Sequence, residues 1–81
     1  MPRYFFDTVD GSRFHDTDGV ELADVREARL YAVKFGGECL SSEPTLLDVD
    51  DFRVEVRDAS GALRAVVKVE ITESAAANDV R

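Results

Sequence analysis

The chain predicts a small α+β domain of ββαββ order: two β-hairpins joined by one amphipathic helix, giving a four-stranded, mainly antiparallel sheet with the helix on one face. Three observations lead there. Val25, Ala28, Ala32, Phe35 and Cys39 recur at steps of three and four, which keeps them on one side of a 3.6-residue helix. Residues 52–58 and 63–72 alternate apolar and polar side chains about a short Ala59-Ser60-Gly61 turn, the period of a half-buried strand pair. Residues 3–9, RYFFDTV, combine aromatic and β-branched side chains and run straight into Asp10-Gly11-Ser12, a hairpin signal.

In chain order, Arg3 to Val9 is the first strand and Arg13 to Asp16 returns as a short second one. Two registers are open. A two-residue turn groups Phe5, Val9 and Phe14; a three-residue turn with a glycine bulge groups Tyr4, Phe6 and Phe14. The second is preferred, because the first sets Asp7 beside Phe14 on the buried face. Either way aromatics lie on both faces of this strand, which suits a central position with its second face partly covered. Thr17 to Ala23 reads as a polar link with a second Asp-Gly turn, Val20 and Leu22 tucking under the helix entrance.

The helix is expected from Asp24 to Leu40. Asp24 and Glu27 have capping-box spacing, and both place negative charge at the positive end of the helix dipole. Tyr31 stands at the edge of the apolar stripe, and Leu30 falls opposite it, exposed beside Arg26 and Lys34. Gly36-Gly37 weakens the helix by roughly 1 kcal/mol per glycine. The stripe resumes in register beyond the pair, so the helix is expected to continue until Pro44 forbids it. Thr45 to Asp51 connects, with Leu46, Leu47 and Val49 capping the core. In the second hairpin Phe52, Val54 and Val56 face Leu63, Ala65, Val67, Val69 and Ile71 on the inner side. The first strand and the 63–71 strand are expected to meet in the middle of the sheet. Residues 1–72 form the single domain, and 73–81 form a polar, alanine-rich tail expected to be disordered.

Eighty-one residues fit one helix layered on one sheet. Seventeen acidic against ten basic residues give a net charge of −7, which disfavours nucleic acid and anionic membrane as partners. No apolar run is long enough to span a membrane and no signal-peptide design opens the chain. The single cysteine, Cys39, excludes an internal disulfide and points to a reducing cytoplasm.

Met1-Pro2-Arg3-Tyr4-Phe5-Phe6, then Asp10-Gly11, then Asp18-Gly19-Val20-Glu21-Leu22 leading to Ala28 and Ala32, resembles a family of short alphaproteobacterial proteins known only as a domain of unknown function. The resemblance covers roughly residues 1–71, with the second hairpin matching in pattern alone. That family usually carries alanine or charged residues where this chain has Gly36-Gly37. The resemblance implies a small cytoplasmic bacterial protein and transfers no activity, ligand or catalytic residue.

The chemistry-bearing residues give no catalytic, metal or cofactor site. His15 is the only histidine and has no converging ligand set. Asp16-Thr17-Asp18-Gly19 imitates a calcium loop, but aligning its glycine puts Phe14 and Val25 where carboxylates are required. Asp48, Asp50 and Asp51 read as a solvated acidic connection, and Ser41 and Ser42 have no histidine base. What remains is the sheet face away from the helix, with Phe5, Arg53, Arg57, Arg64 and Lys68. Three uses are open to it. Ion pairing with Glu55 and Glu70 would leave an ordinary solvated face. Coverage by a second copy, through Phe5 and Val66 or a strand edge, would make the protein a homodimer. Stacking and charge would let it bind nucleic acid or another anion. The preferred reading is a non-enzymatic protein-interaction module, homodimeric through this open sheet face or a strand edge, whose partner is itself or another protein, with nucleic-acid or anionic-ligand binding the alternative and no cofactor.

Overall fold

A computed structural model describes residues 1–48 and 51–69. One helix packs on one antiparallel sheet. Strand β1 (Arg3–Val9) is followed by β2 (Arg13–Phe14), β3 (Val20–Glu21), helix α1 (Val25–Ser42), a 3-10 turn (Pro44–Asp48), β4 (Phe52–Asp58) and β5 (Leu63–Val69). The sheet order is β2-β1-β4-β5, with β3 pairing β1 beyond the end of β2.

The β1–β2 register is the three-residue one: Val9 lies opposite Arg13 and Thr8 opposite Phe14, with Gly11 at φ 102° in the loop. Tyr4, Phe6 and Phe14 therefore share the helix side, although Phe14 is 68% exposed because β2 ends there.

Three expectations are corrected. The 17–23 link contains a strand, since Val20 and Glu21 pair with Tyr4 and Arg3, so the sheet has five strands. The returning second strand stops at Phe14 instead of Asp16. And β1 is flanked by β4, with Phe6 opposite Val56, which puts the 63–69 strand on the edge. The physical reason lies in β4, which is buried on both sides: Phe52, Val54 and Val56 toward the helix, Glu55 away from it. On β5 the outward Arg64, Val66 and Lys68 are exposed, as an edge allows. Alternation marks each hairpin but does not say which of its strands has a second covered face.

The helix forms as its stripe requires. Asp24 accepts from the Glu27 N–H at 3.0 Å, and Glu27 reaches back to the Ala23 N–H at 3.3 Å. Ala28, Ala32 and Gly36 are buried, and Val25, Phe35 and Cys39 are packed against the core. The helix runs unbroken through Gly36-Gly37 to Ser42, and the Glu43 N–H closes it on the Cys39 carbonyl. Gly36 lies directly over the sheet: a Cβ there would stand 3.4 Å from Val54 Cγ2. Tyr4, Phe6, Phe52, Val54 and Val56 form the rest of the core, each large side chain contributing roughly 1.5–3 kcal/mol by burial. In β5, Ala65, Val67 and Val69 pack on this core, whereas Leu63 is half exposed because the pairing slips between Val56 and Arg57.

Leu46 caps the core as expected. The side chains of Leu47 and Val49, the continuation through Glu70 and Ile71, and the 73–81 tail lie outside what is described. No helix among the described residues is long and apolar enough to cross a membrane.

Candidate functional site

The sheet face away from the helix carries a cluster of ion pairs at its β1–β4 centre. Asp7 and Glu55 sit directly opposite each other on β1 and β4, both buried. Two carboxylates in that position repel, and here arginines converge on them. Arg13 Nη1 donates to Glu55 Oε1 at 2.6 Å and approaches Asp7 at 3.4 Å. Arg53 Nε donates to Glu55 Oε2 at 2.9 Å; Arg57 donates to Glu55 Oε1 at 3.2 Å and sets its Nε 3.5 Å from Asp7. The Arg13 hydrogen bond, aided by Arg53, holds the Glu55 carboxyl down at about 2 against the cost of its burial. Beyond this cluster the same face stays open, with Val66 43% exposed and Arg64 and Lys68 exposed beside it.

Of the residues the sequence marked for binding, Arg53 and Arg57 are therefore committed to Glu55, with Arg53 also paired to Asp51 and Arg57 donating to the Gly61 carbonyl. Arg64 pairs with Asp58 on the 58–62 turn at 3.3 Å. Phe5 lies opposite Arg57 and is half-buried, while Lys68 lies exposed opposite Arg53. Phe5 and Arg57 share an open hollow of about 300 Å³ with His15 and Thr17; Arg64 and Lys68 do not line it. The pairing expected between Glu55 and Lys68 is replaced by the arginine cluster, and Glu70 lies outside the described residues.

His15 follows β2, 65% exposed at its side chain, with Nδ1 3.1 Å from Asp7 Oδ2. No group of three or more potential metal ligands converges among the described residues. Cys39 lies on the inner stripe, and burial pushes its thiol up from the ordinary value.

Sequence reasoning missed Asp7, Glu55 and Arg13 as a unit. The only sequence signal was an aspartate in the middle of an aromatic strand, and its meaning depended on which strand lay beside it.

A second arrangement lies on the helix side. Opposite the three residues 5–7 of β1, the edge runs through the five residues 15–19, an outward excursion between β2 and β3. The Phe6 N–H, left without a strand partner, donates to Asp16 Oδ2 at 3.1 Å. Asp16 Oδ1 accepts from the N–H groups of Asp18 and Gly19. Burial opposes ionisation of Asp16, but these three backbone donors together keep its carboxyl below the usual range. Gly19 is required there: at φ 71°, a Cβ would fall 2.8 Å from the Tyr4 carbonyl.

Between this excursion and α1 opens a groove of about 290 Å³ lined by Phe6, Phe14, Asp16, Asp18, Gly19, Val20, Tyr31 and Phe35. The rings of Phe6 and Tyr31 lie 4.6 Å apart at 42°, and those of Tyr31 and Phe35 lie 6.4 Å apart at 23°. Tyr31 also lines an adjoining hollow with Leu22, Glu27, Leu30 and Lys34. Phe14, Leu30 and Tyr31 are 68%, 62% and 37% exposed, so large apolar area faces outward along this side.

A family profile described as "Domain of unknown function (DUF6894)" matches residues 3–70, in agreement with the resemblance seen in the sequence. No curated protein and no solved structure matches the chain.

Proposed function

Because the chain belongs to the DUF6894 family of domains of unknown function, we propose from its geometry that it is a non-enzymatic protein-interaction module whose contact surface is the aromatic groove between α1 and the β2–β3 edge. The observation that carries this is the joint exposure of Phe14, Tyr31 and Leu30 around two adjoining hollows. Contiguous exposed aromatics mark contact surfaces, and Tyr and Phe supply large rigid area at low entropic cost. The groove lining holds no nucleophile with a base beside it. A single cysteine suits a reducing, cytoplasmic setting for such a module.

Self-association is the second reading, favoured by the edge of β5. The Phe6 N–H points to the β2–β3 side, so strand alternation sends those of Arg64, Val66 and Lys68 to the outer edge of the sheet. Seven regular residues with one neighbour among the described residues form a template for another strand. A two-fold antiparallel pairing centred on Val66 sets Arg64 of one copy against Lys68 of the other, a repulsion that lowers this reading below the first.

A photo-crosslinking residue placed at Leu30, and separately at Val66, tests both in the native cell. Adducts from Leu30 but not Val66 support the groove. Dimer-sized adducts from Val66 alone overturn it in favour of the β5 edge.

A further inference from the structure

We infer that the aromatic groove takes a guanidinium: an arginine side chain presented by a partner protein, held between aromatic faces and the Asp16–Asp18 carboxylates. The inference rests on reading this groove as a contact surface and specifies what enters it.

The rings come first. Tyr31 lies tilted against Phe6 and stacked with Phe35, and Phe14, at the end of β2, lines the same groove and is exposed. Aromatic faces carry negative charge density and attract cations. The carboxylates come second. Asp18 is exposed, and among the described residues its side chain makes no hydrogen bond or ion pair. Asp16 is oriented by backbone donors, and among the described residues its Oδ2 accepts only the Phe6 N–H.

A purely apolar occupant would cover these carboxylates without giving them a partner, and an anionic one would be repelled. A cation meets both the rings and the charge. The chain as a whole, at −7, draws such a partner in.

Size and shape narrow the class. A volume of about 290 Å³ lies at the low end for ligand sites and suits one side-chain head. A planar guanidinium stacks on a ring while its edge donates to a carboxylate, which an ammonium does less well. Among the described residues the chain's own cations leave the Asp18 carboxylate unpaired. Arg3 donates to the Asp18 carbonyl at 2.8 Å and pairs with Glu21 at 3.4 Å, and Lys34 lines the adjoining hollow.

The test is a titration of the ¹⁵N-labelled chain with N-acetyl-arginine methylamide, followed in ¹H–¹⁵N spectra. Its neutral isostere, N-acetyl-citrulline methylamide, is the control. Shifts confined to Phe14, Asp18 to Val20 and Tyr31 are expected, about tenfold weaker with the citrulline compound. Phe14→Ala and Asp18→Asn each weaken binding by about threefold or more, and neither side chain is part of the core, so the remaining spectrum stays in place. Equal response to both compounds, or arginine shifts away from the groove, overturns the inference. If Leu30 crosslinks a partner while the arginine titration gives no groove shifts, the contact surface stands and the guanidinium does not. If neither is seen, both fall.

Discussion

The backbone N–H of Asp16 donates to Oδ1 of Asp7 at 3.0 Å, while the carboxylate of Asp16 takes the N–H of Phe6, the residue next to Asp7. Two aspartates nine positions apart thus anchor the 15–19 excursion to β1, one through its side chain and the other through both backbone and side chain. Asp7 also faces Arg13, His15 and Arg57, so one buried carboxylate ties the edge excursion to the arginine-covered face.

Replacing Asp7 therefore costs more than a typical strand substitution. Asp7→Ala leaves the Asp16 N–H without its acceptor beside a small cavity and takes one of two carboxylates from Arg13 and Arg57, which keep Glu55, for an expected loss of ~3 kcal/mol. Asp7→Asn keeps an acceptor for the Asp16 N–H and loses only ~1–3 kcal/mol. Urea unfolding gives the difference. Amide exchange should accelerate at Phe6, Asp16 and Gly19 before it does in β4.

The glycines separate by position. Gly37 is exposed within the helix and a Cβ there meets nothing within 4 Å, so Gly37→Ala should raise stability by ~1 kcal/mol. Gly19→Ala meets the Tyr4 carbonyl, Arg3 and Phe5 at under 3 Å while holding a positive φ, and should lose ~1–3 kcal/mol or more. Thermal melts of the two variants move in opposite directions. A Gly37→Ala melt no higher than the parent would contradict the unbroken helix.

Acid should weaken the fold through Glu55. Its carboxyl is held at about 2 when folded, against an ordinary value of 4.5. The folded state thus binds that proton less tightly than the unfolded chain does. The stabilisation is complete above pH 4.5 and disappears as pH falls toward 2. It amounts to at most ~3 kcal/mol, less what solvent screens. Urea midpoints between pH 6 and pH 2.5 should trace this loss, and Glu55→Gln should flatten it while lowering stability at neutral pH.

Cys39 should react slowly. Burial, with a smaller effect from Glu38, raises its thiol above the ordinary value. Its thiolate fraction at pH 8 is correspondingly low. Modification by a disulfide reagent should lag well behind that of glutathione under the same conditions and quicken to match on addition of urea. Fast labelling of the folded chain would place the thiol outside the helix–sheet interface.

The sequence by itself determined the α+β class, the span of β1 and β4, the cap at Asp24 and the exposure of Leu30, and it narrowed the turn before Arg13 to two registers. Each is a local matter of periodicity, turn chemistry or capping, decided within a few residues. Only the tertiary structure decided that β4 lies beside β1, that Val20 and Glu21 complete the edge, and that Asp7 and Glu55 share one arginine cluster. The groove, too, exists only because Phe14 and Tyr31, seventeen positions apart, are brought to one opening. Alternation tells which side of a strand faces inward. It carries no information about the neighbour, and here the neighbour ties arginines that alternation would leave in solvent to a buried pair of carboxylates.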